Sequence, residues 1–199
     1  MSMKKLPVLA LTAILLAAAG CQSQGAGNGS DQVKMQRTVG RDQLLQTMDQ
    51  ITAPSMPVNI MEQSDEQIVA WVKQIDEWTH RVLSSPVTGE VDRYGMEEMR
   101  KRLGQLYSPE MADRQIAYFY RRNEQLGTYQ AYSTKAMLGL RSEWGEYEVK
   151  KSRGEDGVYR LTVRGTNVQQ DAAKSTMLHE SAYRPEDGRL RIIEFKTSS

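Results

Sequence analysis

From residue 42 to Gly127 apolar residues recur at helical three- and four-residue spacing, and after Gly127 they alternate. No other feature constrains the fold as strongly. A period near 3.6 buries one stripe of a helix, and a period of two buries one face of a strand. Helices first and strands second exclude a fold that alternates the two. The order predicts an α+β domain, with N-terminal helices packed on a curved antiparallel sheet of four or five strands.

The helical half is punctuated by strong end signals. Ser64 with Gln67 three residues on makes a capping-box pattern, and Asp65 and Glu66 suit the positive end of the helix dipole. Behind them Ile68, Trp71, Val72, Ile75, Trp78, Thr79 and Val82 form one stripe, so a helix is predicted over 64–83. Met96, Met99, Leu103 and Leu106 mark a second helical face over 96–106. Ser108, Pro109 and Glu110 are the cap, first position and first turn of a third helix. That helix is expected to run to about Gln125 and stop at Gly127, with Ala112, Ile116, Phe119 and Tyr120 inward. Ahead of these, 42–52 has weaker helical spacing through Leu44, Leu45, Met48 and Ile51, with Asp42 as its N-cap. The prolines of "APSMP" end it, so 42–63 is expected to be a short helix and Pro-containing linker, either docked or part of the tether, preceding a domain over 64–199.

Beyond Gly127, strands are expected in "TKAMLGL", "GEYEVKK", "VYRLTVRG", "STMLHESAY" and "RLRIIEFK". "RGEDG" and "PEDG" punctuate them as tight turns, which makes neighbouring strands antiparallel. Helices broken at "LYSPEM" and a sheet ending in "DGRLRIIEF" resemble NTF2-like and cystatin-like domains. That resemblance implies a strongly curved sheet. It leaves function open, since such folds host enzymes, binding modules and dimerisation domains.

The first twenty residues have a different character. "MSMKK" is basic, and "LPVLALTAILLAAA" is an uncharged apolar run ending at Gly20-Cys21. About fourteen apolar residues are too few to span a bilayer, which takes about 20, but they suit the core of a signal peptide. Small residues leading to a cysteine resemble the lipobox of bacterial lipoprotein precursors, although Ala18 stands where that family prefers Leu. The resemblance implies cleavage of residues 1–20. It also implies a diacylglycerol thioether on Cys21 and acylation of its new amino group. Two or three acyl chains hold a protein stably at a membrane. "QSQGAGNGSDQ" has no large apolar side chain, and 21–41 is read as the lipidated cysteine and a tether. The chain has one cysteine, and a thiol consumed by lipid leaves none for stray disulfides.

Charge narrows the partners. Removing the leader takes away Lys4 and Lys5 and leaves 24 basic against 25 acidic side chains, a net of −1. No basic stripe for nucleic acid is expected. Zinc-type spacing is absent, since His80 and His179 are far apart and no free cysteine would remain. No phosphate loop, nucleophile elbow or dinucleotide fingerprint occurs, so neither cofactor nor metal is expected.

Two places hold candidate functional residues. "RQIAYFYRRNEQLGTYQAY" concentrates aromatics and arginines, an interface composition, and nominates Arg114, Tyr118, Arg121, Arg122 and Tyr129. Read otherwise, its aromatics are core and its arginines a solvated face. His179 shares a strand face with Met177 and Ser181, and would line a pocket if the sheet enclosed one; otherwise it is a satisfied or solvent-facing histidine. His80, near a helix C-terminus, reads as structural. The chain is therefore expected to be a membrane-anchored, extracytoplasmic, non-catalytic module that binds an envelope or wall protein. With Gln22 rather than Asp after Cys21, the lipoprotein resemblance would imply outer-membrane delivery in a Gram-negative cell. The alternative is a small NTF2-like enzyme, of the isomerase or dehydratase type, with His179 in a pocket inside the sheet.

Overall fold

The computed structural model describes residues 40–86, 90–131, 144–167 and 176–198. The leader, Cys21, the tether to residue 39 and the strand expected at 134–140 lie outside the described residues. The domain is α+β, as the change of period requires. Its helices are α1 (Arg41–Asp49), α2 (Asp65–Leu83), α3 (Arg93–Leu103) and α4 (Pro109–Phe119), with a 3-10 turn at Val58–Glu62. Its strands are β1 (Glu90–Val91), β2 (Tyr120–Asn123), β3 (Thr128–Ala131), β4 (Trp144–Arg153), β5 (Tyr159–Asn167), β6 (Thr176–Glu186) and β7 (Arg189–Ser198). They form two antiparallel sheets, in the orders β1-β3-β2 and β4-β5-β6-β7. Among the described residues, no helix is long and apolar enough to cross a membrane.

Local chemistry sets the helix starts. Ser64 and Gln67 form the expected capping box, each side chain accepting the other's backbone N–H. Ser108 accepts the Met111 N–H at 3.2 Å, with Pro109 in the first turn. α3 starts three residues before its first expected stripe residue, because Asp92 accepts the Gly95 N–H at 2.7 Å. At α1 the N-cap is Gly40 rather than Asp42, which falls in the first turn.

The larger sheet has one buried and one charged face. Leu161, Val163, Met177, His179, Ser181, Tyr183, Leu190, Ile192 and Phe195 are buried. On the opposite face, register places Glu148 across from Arg164 and Glu180 across from Lys196. β6 and β7 are joined by a two-residue turn in which Asp187 and Gly188 both have positive φ, 51° and 75°. Such a turn matches the twist of a hairpin, and glycine adopts it without steric cost. β7's other edge is covered. Leu190 donates to the Met56 carbonyl at 2.8 Å, and Ile192 donates to Leu106 at 2.9 Å. Ile192 also accepts from the Ser108 N–H at 2.8 Å.

One core joins both halves. Trp71 of α2 lies 5.0 Å, ring to ring, from Tyr183, and Tyr107 meets Phe195 edge-on at 6.0 Å. Leu44, Met48, Ile51, Met56 and Met61 are buried in the same cluster, so 41–62 shares this core.

The third helix is shorter than its sequence suggests. α4 ends at Phe119, and Tyr120 adopts extended geometry, with φ −122° and ψ 143°. Its side chain is buried, and its hydroxyl donates to the Leu83 carbonyl at the end of α2. The following residues pair as the β2–β3 hairpin, and Gly127, expected to stop a helix, instead sits in the turn with φ 64°. Tertiary pairing overrides the helical pattern here, in a stretch whose aromatic residues also suit a strand.

Candidate functional site

The aromatic–arginine segment is divided among three surfaces. Arg114 and Tyr118, four residues apart on α4, lie on one exposed helix face, and Tyr118 is 49% exposed. Tyr118 meets Phe119 edge-on at 5.5 Å, and Phe119 in turn faces the His80 ring at 6.5 Å. Arg122 pairs in register with Tyr129 and so shares a sheet face with it; its guanidinium lies 3.6 Å from Glu124. Arg121 pairs with Gln130 and belongs to the opposite face. Arg114, Tyr118, Arg121 and Arg122 are exposed and Tyr129 is half-buried.

Arg121's face of the small sheet holds a carboxylate that sequence reasoning did not single out. Register aligns Glu90, Gln130 and Arg121 across the three strands. Glu90 is buried, accepting from Thr128 Oγ1 at 2.6 Å and from Gln130 Nε2 at 3.0 Å. Two neutral donors thus hold a carboxylate away from water, where it would be costly without partners. The available signal was a lone acidic residue in a short "GEV" segment between two helices, which is weak by itself.

His179 lies deep beneath the larger sheet. Its Nδ1 is 3.1 Å from Thr197 Oγ1 and its Nε2 is 3.0 Å from Ser181 Oγ. Phe195 meets the imidazole edge-on at 4.7 Å, and His179 is fully buried. Burial pushes the imidazole down to about 3, so the ring is neutral at physiological pH, one nitrogen donating and the other accepting. A Ser–His contact of this length is the first element of an activated nucleophile. Here the serine and histidine are both buried, and the third partner is a hydroxyl rather than a carboxylate. The arrangement ties β6 to β7 and satisfies a core histidine.

A second buried polar pair stands nearby. Thr79 donates to the Ile75 carbonyl at 2.8 Å, so the Tyr107 hydroxyl, 2.7 Å away, donates to Thr79. Burial pushes the phenols of Tyr107 and Tyr183 above their ordinary range. The Tyr183 hydroxyl and the Trp78 indole N–H are buried without a hydrogen-bond partner among the described residues.

Among the described residues, no group of three or more His, Cys, Asp and Glu side chains is placed to hold a metal ion. No protein-family model matches the chain, and neither a curated protein nor a solved structure matches it.

Proposed function

We propose that this chain is a lipoprotein held by Cys21 on the extracytoplasmic face of a bacterial membrane, and that its domain is a non-catalytic module binding an envelope or wall protein. The observation that carries the reading is the placement of the single cysteine, directly after a basic start and a short apolar run. Thioether-linked acyl chains would supply the membrane affinity that an almost neutral surface does not. Support for a binding role comes from the exposed Arg114–Tyr118 face of α4 and the Arg122–Tyr129 face of the small sheet. The other side of α4 enters the core through Ala112 and Ile116, whereas Arg122 and Tyr129 share their sheet face with the buried Val91 and Tyr120. Arg and Tyr give large, rigid contact area and directed hydrogen bonds at interfaces. The finer fold assignment, to NTF2-like or cystatin-like domains, belongs to the same proposal. Its support is a four-stranded antiparallel meander with the long helix α2 packed against its inner face.

Mass spectrometry of the product from its own cells tests the anchor. The expected species begins at Cys21 and carries diacylglycerol; an intact leader or a bare thiol overturns it. Crosslinking the anchored protein in those cells tests the module. One envelope protein should be captured by the wild type and lost with Tyr118→Ala and Arg122→Ala together. Capture that ignores both substitutions overturns the assignment of the face.

A further inference from the structure

The two edges of the larger sheet differ. The outer edge of β7 is closed by backbone hydrogen bonds with Met56, Leu106 and Ser108. At the opposite edge stands β4, ten residues long and paired on one side with β5. Among the described residues, no strand and no backbone hydrogen bond meets its other side. The core cover also thins toward it. Val163 of β5 is buried, whereas its register partner Val149 is half-buried and Tyr147 is 36% exposed. Lys151, on the same inner face, donates to the Gln63 carbonyl at 3.0 Å and lies 3.2 Å from Asp65. A long edge strand with exposed apolar side chains is a template for another strand.

Charge ordinarily deters such pairing, but the charge on β4 is complementary to itself. Its outer face presents Glu146, Glu148 and Lys150, with Arg164 of β5 in register with Glu148 and Thr162 with Lys150. Glu148 and Lys150 lie 3.4 Å apart, and both are well exposed. In an antiparallel pair of two β4 strands with Val149 across from Val149, each Glu148 falls across from the partner's Lys150. Each Tyr147 falls across from the stem of the partner's Lys151. Centring the pair on Glu148, Lys150 or Lys151 instead opposes that residue to itself, and centring it on Tyr147 sets Glu146 against Glu148. Of these five registers, all of which keep the two charged faces together, only the one centred on Val149 opposes no like charges. Opposite charges across a strand pair stabilise it and like charges destabilise it, so the register is specified.

We infer that two copies of this domain join β4 to β4 in an antiparallel pair centred on Val149, continuing the sheet into eight strands about a twofold axis. The pairing engages the backbone groups along the outer edge of β4 and covers Tyr147 and Val149. It also sets each Glu148 between Arg164 of its own protomer and the partner's Lys150. The inference draws on β4 alone and does not rest on the anchor at Cys21.

Sedimentation of the chain from Cys21 onward, in reducing buffer so that its thiol forms no disulfide, tests the pairing. The wild type should dimerise reversibly at or below about 0.1 mM. Amide exchange over 147–151 should slow as the dimer forms, while β7 is unchanged. Glu148→Lys or Lys150→Glu alone turns both attractive contacts into repulsive ones and should weaken the dimer about tenfold. Neither should move the urea midpoint much, since both side chains are exposed. Mixing the two variants should restore association as a heterodimer, because one then presents two lysines where the other presents two glutamates. An ion pair within a single strand gives no such recovery. A wild type that stays monomeric overturns the inference. So does a dimer indifferent to both variants, one that mixing does not restore, or one whose slowed amides lie away from β4. Slow exchange along the outer edge of β4 in a monomer would assign that edge to another segment of the same chain, and overturns it too.

Discussion

Each sheet buries polar groups beneath it, and His179 under one and Glu90 under the other are handled differently. Under the larger sheet, His179 is a neutral ring whose two nitrogens are matched by two hydroxyls. Under the smaller, Glu90 is a carboxylate that receives one neutral donor on each oxygen. A neutral ring can be fully satisfied that way, whereas a carboxylate has about four acceptor sites. Under the larger sheet both nitrogens of His179 are therefore matched. On the smaller sheet, Glu90 shares a face with the exposed Arg121.

The strongest way to break this comparison is His179→Ala. It opens a cavity and orphans Ser181 and Thr197, and should cost about 4 kcal/mol in urea unfolding. A loss below 1 kcal/mol would mean the ring is not structural. The pH dependence sharpens the point. The folded-state pKa of about 3 lies below the ordinary 6.5, so the unfolded chain binds the proton more readily. This contribution to stability is complete above pH 6.5 and is lost as pH falls toward 3, by up to about 1.4 kcal/mol per pH unit. His179→Gln should flatten that part of the profile, and an unchanged slope would assign it to other groups.

Glu90→Ala leaves Thr128 and Gln130 without their acceptor and should cost about 2 kcal/mol. A smaller loss than at His179 is what the contrast between the sheets requires, and the reverse order would break it. Asp92→Ala, which removes the α3 cap, should lower stability by about 1 kcal/mol. Tyr118→Ala and Arg122→Ala should each change stability by less than about 0.5 kcal/mol, because both side chains are exposed. Large losses there would show that the face is structural rather than displayed.

The segment 114–132 shows where sequence reading stops. Ser108-Pro109 located the start of α4 to the residue. Its end was misplaced because the apolar spacing through Ile116, Phe119 and Tyr120 suits either a helix or a strand entered from one. A turn signal was present in "NEQLG". Asn123 Oδ1 accepts from the Gln125 and Leu126 N–H groups at 3.1 and 3.2 Å, an Asx-type turn closed by Gly127. What decides between the two states is the Leu83 carbonyl and the strand partner β3, neither of which is local.

Although β1 and the β2–β3 hairpin, which make a second sheet, escaped it, the sequence by itself determined the α+β class, the antiparallel order of β4 to β7, the caps at Ser64 and Ser108, the turns at "RGEDG" and "PEDG", and which strand face of β6 holds His179. These are settled by interactions spanning a few residues, so a short window carries them. Only the tertiary structure decided that His179 is buried between Thr197 and Ser181, that Glu90 is buried, that 41–62 joins the core, and that Arg41 meets Tyr94. Each depends on groups brought together from distant parts of the chain, and burial is a property of those neighbours rather than of the residue.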